Sequence, residues 1–329
     1  MQRTLDARHD AYALARAFRI ARGTKTVADV VTVTLGEDGA IGRGEGVPYA
    51  RYGETIEDVL AAIAGVQPLL EQGMDRHALL ERLSPGAARN AIDCALWDLE
   101  SRLAGLSVAE RIGAPEPLAQ ASAITIGIDT PDAMAAAARA IAGAPLVKIK
   151  IDADDPARRI AAVRAAAPDA ALIVDPNESW DRALLEAIAD TLIAADVALI
   201  EQPVPAETDS WLEGFAYPIA IAADEAVHTD ADLDRIAARY SVVNVKLDKA
   251  GGLTAALDLA HAARVRGLGL MTGCMISSSL SIAPAFHIAR MSDFVDLDGP
   301  LWLADDHADG VSDSGGILSP PAAGFWGAR

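Results

Sequence analysis

The chain has 329 residues, about half of them hydrophobic, and a formal net charge of −19. Nucleic-acid-binding proteins normally carry a basic stripe, so this acidic composition argues against such a partner. No uncharged apolar run approaches the length of a membrane span, and the N-terminus lacks the apolar core of a signal peptide. Two widely separated cysteines, Cys94 and Cys274, form neither a disulfide framework nor a zinc pattern, which favours the cytoplasm.

The first third of the chain, residues 1–115, predicts an α+β unit. Residues 25–48 indicate two strands joined by a turn at the sequence Glu-Asp-Gly. Two helical segments follow, at residues 54–73 and 85–105. Strands followed by helices are typical of an α+β arrangement, and residues 113–120 have the composition of a linker.

From about residue 120 onward, short apolar runs alternate with alanine-rich segments of helical period. Eight such alternations predict a (β/α)-type barrel over residues 120–302, with a doubly wound open sheet as the alternative. The tail, 303–329, is too rich in Gly, Pro and Trp to finish a barrel helix, and we expect it to pack on the first unit. The connection at 205–215 is less clearly helical. The predicted strands are 122–128, 146–151, 171–175, 197–201, 219–224, 241–247, 267–273 and 293–298.

Three successive predicted strands end in an acidic residue: Asp175, Glu201 and Asp224. In barrel enzymes the chemistry lies at the C-terminal ends of the strands, so these side chains are expected to converge. Converging carboxylates repel one another unless a cation lies between them. Three oxygen ligands with space for water or substrate suit Mg²⁺.

Lysines flank these carboxylates. Lys148 and Lys150 share one face of the second predicted strand, and Lys246 lies on the sixth, across an eight-stranded ring. Desolvation and cationic neighbours lower the pKa of a lysine, so the pair predicts a neutral amine that can act as a base, with Lys148 lowering the pKa of Lys150. An amine on each side of a cation suits removal and return of a proton next to a carboxylate.

Taken together, the sequences KIK, DPN, EQP, DE and VKLDKAGG resemble the enolase superfamily, and within it the muconate-lactonizing-enzyme subgroup. The resemblance covers essentially the whole chain. It implies an α/β fold, a modified (β/α)8-type barrel of the form (β/α)7β at 120–302. The α+β unit at 1–115 would be a capping domain, joined by the tail 303–329.

The resemblance also implies roles for individual residues. Lys150 and Lys246 would be the acid/base pair, and Lys148 would contact the carboxylate of the substrate. Lys249 is read as structural. The ligands of one Mg²⁺ per subunit would be Asp175, Glu201 and Asp224.

Asp296 and Asp298, two residues apart after the last predicted strand, resemble the pair that binds the substrate ammonium in dipeptide epimerases. A plain turn is the alternative. A calcium loop fails on spacing, because it needs an acid at position 294, which is Phe294. Three further residues are candidates for contact with the substrate: Thr125 at the end of the first predicted strand, Cys274 after the seventh, and Arg22. The alternative for Cys274 is a buried thiol. Arg19, Lys25 and Arg51 compete with Arg22 for its role, and the alternative is that these residues are solvated loop cations.

The resemblance implies a Mg²⁺-dependent dipeptide epimerase that inverts the α-carbon of the C-terminal residue. The implied substrate is L-Ala-D/L-Glu, a murein fragment, and the implied reaction is two-base 1,1-proton transfer through a metal-stabilised enolate. The alternatives are an o-succinylbenzoate synthase or an N-acylamino-acid racemase of the same superfamily, and a non-catalytic binding protein that retains the barrel. Association of the alanine-rich barrel helices into a homo-oligomer stays open.

Overall fold

A computed structural model describes residues 3–328. The chain begins with a three-stranded antiparallel sheet of order β1-β2-β3. Its strands are β1 (Thr4–Ile20), β2 (Gly23–Glu37) and β3 (Ala40–Gly46). The predicted turn at Glu-Asp-Gly joins β2 to β3, with both Asp38 and Gly39 at positive φ. The long strand β1 was not predicted, and it joins β2 through a hairpin that carries Arg22.

Four helices follow, namely α1 (Ile56–Glu71), α2 (Arg76–Arg82), α3 (Ala87–Ala104) and α4 (Val108–Ile112). The sequence Gly-Arg-Gly-Glu-Gly in β3 explains how α3 lies against the sheet. A Cβ atom at Gly42, Gly44 or Gly46 would overlap the backbone of α3. Glycine at alternate positions therefore lets strand and helix backbones approach closely.

A two-residue strand, β4 (Gln120–Ala121), precedes an eight-stranded parallel sheet. Neighbouring strands are consecutive in the chain, and the backbone N–H of Ala123 donates to the carbonyl of Val295 at 2.7 Å, which joins the first strand to the last. The predicted barrel is confirmed. Its strands are β5 (Ile124–Ile126), β6 (Leu146–Lys150), β7 (Ala171–Asp175), β8 (Val197–Glu201), β9 (Ile221–Ala223), β10 (Val242–Val245), β11 (Gly269–Thr272) and β12 (Phe294–Val295).

Between β5 and β12, every connection except the one from β8 to β9 contains an α-helix. After β12 comes a 3₁₀ turn, Gly299–Trp302, and within the described residues no α-helix follows it. The form is therefore (β/α)7β. The connection between β7 and β8 divides into two short helices at Ile188, and the connection at 205–215 is the 3₁₀ turn Ala206–Leu212. The barrel helices are α5 (Pro131–Ala140), α6 (Pro156–Ala166), α7 (Arg182–Ala187), α8 (Ala189–Ala194), α9 (Leu233–Ala237), α10 (Leu247–Ala250), α11 (Leu253–Val265) and α12 (Ser279–Ala289).

The tail contributes strands β13 (Ser312–Asp313) and β14 (Ile317–Ser319), and β14 pairs with β4. The indole N–H of Trp326 donates to the carbonyls of Arg43, in β3, and Cys94, in α3, at 3.0 and 3.2 Å. The division of the chain at residues 115 and 120 stays a prediction. Within residues 3–328, no helix is long and apolar enough to cross a membrane.

Candidate active site

The period-two geometry of the strands decides which side chains enter the barrel. One layer of the barrel interior is apolar and takes one residue from each strand or its start, for example Leu146, Ile173 and Leu199. Two residues further along the same strands stand Lys148, Asp175 and Glu201. Strand direction therefore places an apolar floor at one end of the barrel and charged groups above it, at the C-terminal ends. The buried residues of this layer are Ala123, Leu146, Ile173, Leu199, Ala222, Val242 and Met271, and the partly buried Phe294 packs against them.

The three predicted carboxylates are brought together with lysines between them. Asp175, Glu201 and Asp224 are at most 1% exposed. Lys148 Nζ lies 3.0 Å from Asp175 Oδ2 and 2.5 Å from Glu201 Oε2. Lys246 Nζ lies 2.7 Å from Asp224 Oδ2 and 4.0 Å from Glu201 Oε1. The carboxylates of three adjacent strands thus form one buried ionic cluster.

Lys150 and Lys246 line a single cavity of about 500 Å³ at the barrel mouth. They stand at the ends of β6 and β10, four strands apart in the ring, so their amines enter it from opposite sides. Lys150 Nζ lies 2.5 Å from Asp175 Oδ2. Lys148 also lines this cavity. The arrangement therefore places one amine on each side of a molecule bound there.

The three carboxylates are the type of ligand that a hard divalent cation prefers, but their present arrangement is not that of a metal site. Within residues 3–328, no three Asp, Glu, His or Cys side chains are already arranged so that they could hold a metal ion. Glu201 Oε2 is buried and accepts no hydrogen bond of good geometry, despite the close ammonium of Lys148. A cation bound to the three carboxylates would replace ammonium contacts of Lys148 and Lys246.

Burial and neighbouring charges shift the pKa values of the titrating groups in the cluster in different directions. Burial, with repulsion from Asp175, raises the pKa of Glu201 to about 7. Burial alone would raise the pKa of Asp175, but attraction by Lys150 and Lys148 lowers it to about 2. At Lys246 burial favours the neutral amine, yet attraction by Asp224 and Glu201 raises its pKa. The carboxylates around Lys246 therefore oppose the lowering that burial alone would produce.

Asp296 and Asp298 both line the cavity, beside Thr125. Asp298 Oδ2 accepts from the backbone N–H of Thr125 at 2.7 Å and the indole N–H of Trp302 at 3.3 Å. Asp296 Oδ2 lies 2.7 Å from Lys148 Nζ, whereas the buried Asp296 Oδ1 has no hydrogen-bond partner in the described part of the chain. Burial and the neighbouring charge of Asp296 raise the pKa of Asp298 to about 6. Two carboxylates with an unused acceptor oxygen suit a cationic group of a bound molecule.

The loops of the N-terminal unit cover the barrel mouth through ion pairs. Arg22 Nη2 lies 2.6 Å from Glu225 Oε1, and Arg22 Nη1 lies 3.2 Å from Glu178 Oε2. Arg51 donates to both oxygens of Glu178, at 2.8 and 2.9 Å. These contacts hold the β1–β2 hairpin and the loop after β3 against the ends of β7 and β9.

Of the four competing loop cations, Arg22, Lys25 and Arg51 line the cavity, and Arg19 lines a neighbouring one. Arg51 is engaged by Glu178 and Glu207. Cys274 also lines the cavity, half-buried. Burial and the nearby charge of Asp296 raise the pKa of its thiol, which disfavours a nucleophilic thiolate.

Three buried residues support the cluster, two of which the sequence analysis did not single out. Gln202 Oε1 accepts from the backbone N–H groups of Asp224 and Ala226 at 2.9 and 3.0 Å. Asn244 donates to Glu201 Oε1 at 2.8 Å. Lys249, read as structural, lies 2.6 Å from Asp224 Oδ1. The signal for Asn244 was a polar residue inside an apolar strand, two positions before Lys246.

A closed parallel barrel whose strand ends carry buried carboxylates and opposed lysines defines an acid/base enzyme that acts on a small polar substrate. Comparison with protein families matches residues 2–113 to the mandelate racemase / muconate lactonizing enzyme N-terminal domain. Residues 132–324 match the enolase C-terminal domain-like family. The chain belongs to the enolase superfamily, in the mandelate racemase / muconate lactonizing enzyme group.

Two curated relatives are similar over nearly their whole length. An L-Ala-D/L-Glu epimerase from Escherichia coli K12 is 47% identical, with 92% of this chain and 95% of the relative covered. An N-acetyl-D-glutamate racemase from a Pseudoalteromonas species is 42% identical, with 91% and 95% covered.

Two solved structures carry bound molecules. An enolase family member from Agrobacterium tumefaciens, with homology to dipeptide epimerases, was solved with sodium and L-Ala-L-Glu. It is 44% identical with a TM-score of 0.96, and 99% of this chain and all of that one are covered. A dipeptide epimerase from Methylococcus capsulatus was solved with Mg and L-Arg-D-Lys. It is 33% identical with a TM-score of 0.87, and 97% of each chain is covered.

Proposed function

We propose that the protein is a Mg²⁺-dependent dipeptide epimerase that inverts the α-carbon of the C-terminal residue of L-Ala-D/L-Glu. The observation that carries the proposal is one cavity lined both by Lys150 and Lys246 on opposite sides and by the carboxylate pair Asp296 and Asp298. The first pair suits proton transfer on both faces of a carbon atom. The second pair suits a free α-ammonium at the other end of the substrate.

The metal ligands in this proposal are Asp175, Glu201 and Asp224. When bound, Mg²⁺ supplies positive charge to the substrate carboxylate, which makes the adjacent α-proton more acidic. Lys148 lies against two of these ligands and against Asp296, so its ammonium can donate to the same substrate carboxylate. All three carboxylates offer the hard oxygen donors that Mg²⁺ prefers.

Lys150 and Lys246 act as the two bases. The neutral amine on one side removes the α-proton of the C-terminal residue, and the ammonium on the other side returns a proton to the opposite face. The configuration of the carbon is thereby inverted. In the reverse reaction the two lysines exchange these roles with each other. Burial of the cluster excludes bulk water from competing for these protons.

Arg22 is the proposed partner for the side-chain carboxylate of a C-terminal glutamate. Its side chain is 27% exposed, lines the cavity, and lies 2.6 Å from Glu225, so a substrate carboxylate could exchange places with that of Glu225. Arg22→Met is expected to lower kcat/KM for L-Ala-L-Glu far more than for L-Ala-L-Leu. Lys25→Met is the matched control, and an equal loss on both dipeptides would exclude this role for Arg22.

Proton exchange in D₂O tests the reaction itself. The wild-type protein with Mg²⁺ is expected to incorporate deuterium at the glutamate α-carbon of both L-Ala-L-Glu and L-Ala-D-Glu, and to interconvert them. Lys150→Ala and Lys246→Ala are each expected to lose interconversion but to retain exchange with one epimer, a different one for each variant. Circular dichroism and a Mg²⁺-induced rise in Tm check that each variant is folded.

Absence of exchange by the wild-type protein on any dipeptide would refute the proposed function. Retention of exchange with both epimers by a single-lysine variant would refute the two-base assignment.

The second candidate is racemisation of an N-acylated amino acid, which the Pseudoalteromonas relative favours by its name. Such a substrate has no free ammonium, so the buried, unpartnered Asp296 Oδ1 would face an uncharged acyl group. An o-succinylbenzoate synthase substrate lacks the ammonium as well. Faster α-exchange of N-acetyl-L-glutamate than of L-Ala-L-Glu would favour this candidate.

We also propose a cytoplasmic location, since Cys94 and Cys274 are both free thiols. Assembly into a homo-oligomer stays a prediction, which light scattering tests directly.

A further inference from the structure

A second cavity, of about 370 Å³, adjoins the active-site cavity. Both are lined by Thr24, Thr125 and Trp302. Most of the second cavity is apolar and lies between β5, α5 and the end of β1. Its apolar lining includes Ile124, Ile126, Met134, Ala137 and Ile141. Trp302 is the bulkiest of the residues common to both cavities.

The indole of Trp302 is held in one position from several directions. The side chain is 3% exposed, and its Nε1–H donates to Asp298 Oδ2 at 3.3 Å. The ring of Phe18 meets it edge-on, with centroids 4.5 Å apart. The guanidinium of Arg16 lies 4.3 Å above the indole ring. A side chain fixed by a hydrogen bond, an aromatic contact and a cation–π contact does not move aside readily.

We propose that Trp302 determines the specificity for the N-terminal residue of the dipeptide and restricts it to small side chains such as those of Gly, Ala and Ser. The inference rests on the proposed function, in which Asp298 binds the α-ammonium. The side chain of that residue is attached to the same carbon as the ammonium. It therefore lies next to the group that donates to Asp298, which is the indole of Trp302.

The second cavity indicates how replacement of Trp302 should change the specificity. Removal of the indole joins the two cavities, and the apolar lining of the second one matches a large aliphatic side chain. A smaller residue at 302 is therefore expected to admit dipeptides such as L-Leu-L-Glu.

A matched pair of variants separates bulk from hydrogen bonding. Trp302→Ala removes both the bulk and the donor to Asp298, whereas Trp302→Phe removes the donor and keeps an aromatic wall. For each protein, kcat/KM is measured by α-deuterium exchange on Gly-L-Glu, L-Ala-L-Glu and L-Leu-L-Glu. Added methylene groups change such ratios by roughly ten- to two-hundredfold each in an apolar site.

The wild-type protein is expected to prefer L-Ala-L-Glu over L-Leu-L-Glu by at least about tenfold. Trp302→Ala is expected to lower this ratio by at least about tenfold, and Trp302→Phe to keep most of it. Trp302→Leu serves as a milder replacement if Trp302→Ala does not fold.

Equal turnover of the two dipeptides by the wild-type protein, or an unchanged ratio in a folded Trp302→Ala or Trp302→Leu variant, would overturn the inference. Absence of exchange on every dipeptide by the wild-type protein would instead refute the proposed function.

Discussion

Replacing Asp296 by Asn tests whether the cavity recognises a free ammonium. Asn has nearly the same shape and keeps an oxygen that can accept from Lys148, so the change removes charge and little else. Lys148 also retains its contacts with Asp175 and Glu201. The variant therefore mainly changes the buried Asp296 Oδ1, which has no hydrogen-bond partner among residues 3–328.

A hydrogen bond to a charged partner contributes about 1.5–3 kcal/mol. Because each 1.4 kcal/mol corresponds to a tenfold change, kcat/KM for L-Ala-L-Glu is expected to fall roughly ten- to a hundredfold. The des-amino analogue propionyl-L-glutamate has no ammonium to lose, and its slower α-exchange is expected to be unchanged in the variant.

The assay is α-deuterium exchange followed by proton NMR on both compounds, with Asp293→Asn as the control. Asp293 pairs with Arg264 outside the cavity at 2.8 Å, and its replacement is expected to change neither rate. An equal loss of rate on both compounds in Asp296→Asn would mean that Asp296 acts by positioning Lys148, and the ammonium-binding role would be wrong.

The same variant has a pH signature. Burial first and the charge of Asp296 second raise the pKa of Asp298 to about 6, so in the wild-type protein kcat/KM is expected to fall as the pH drops through about 6. Protonation at that point removes the charge that attracts the ammonium. Without the charge of Asp296, this decline is expected at lower pH.

Three further predictions concern stability. Burial raises the pKa of Glu45 to about 7 despite hydrogen bonds from Ser278, so its contribution is fully present below about pH 4.5 and is lost as the pH rises through 7. The wild-type protein should therefore lose on the order of 3 kcal/mol relative to Glu45→Gln between pH 4.5 and 8 in urea unfolding, and parallel pH profiles would contradict this. Gln202→Leu leaves buried N–H groups unpaired and should lower the free energy of unfolding by about 1–3 kcal/mol, more than Tyr240→Phe; the reverse order would be inconsistent with the network. Mg²⁺ at a hundred times its Kd should stabilise the protein by about 2.7 kcal/mol, reversibly with EDTA, and Glu201→Gln should lose most of this gain; a full gain in that variant would exclude Glu201 as a ligand.

Much of the site could be predicted because strand periodicity is local. Once a strand is recognised, residues two apart share a face, so Lys148 and Lys150 must point the same way as Leu146. The order of the strands in a parallel barrel then follows from chain order, which brought Asp175, Glu201 and Asp224 together. The roles of these residues come from the family resemblance and stay proposals.

Local pattern could not predict contacts between segments far apart in the chain. Nothing near Arg22 indicates that it meets Glu225, more than two hundred residues later. The direction of the pKa shift at Lys246 has the same origin, because it depends on the carboxylates that the fold brings near this lysine.

The sequence by itself determined the eight strands, the barrel they form and the charged residues at their ends, because these depend on spacing within short segments and on chain order. Only the tertiary structure decided which loop cations reach the cavity and that Trp302, fixed by Phe18, Arg16 and Asp298, stands between two cavities. Those features depend on packing between the N-terminal unit and the barrel, where distance in space is unrelated to distance along the chain.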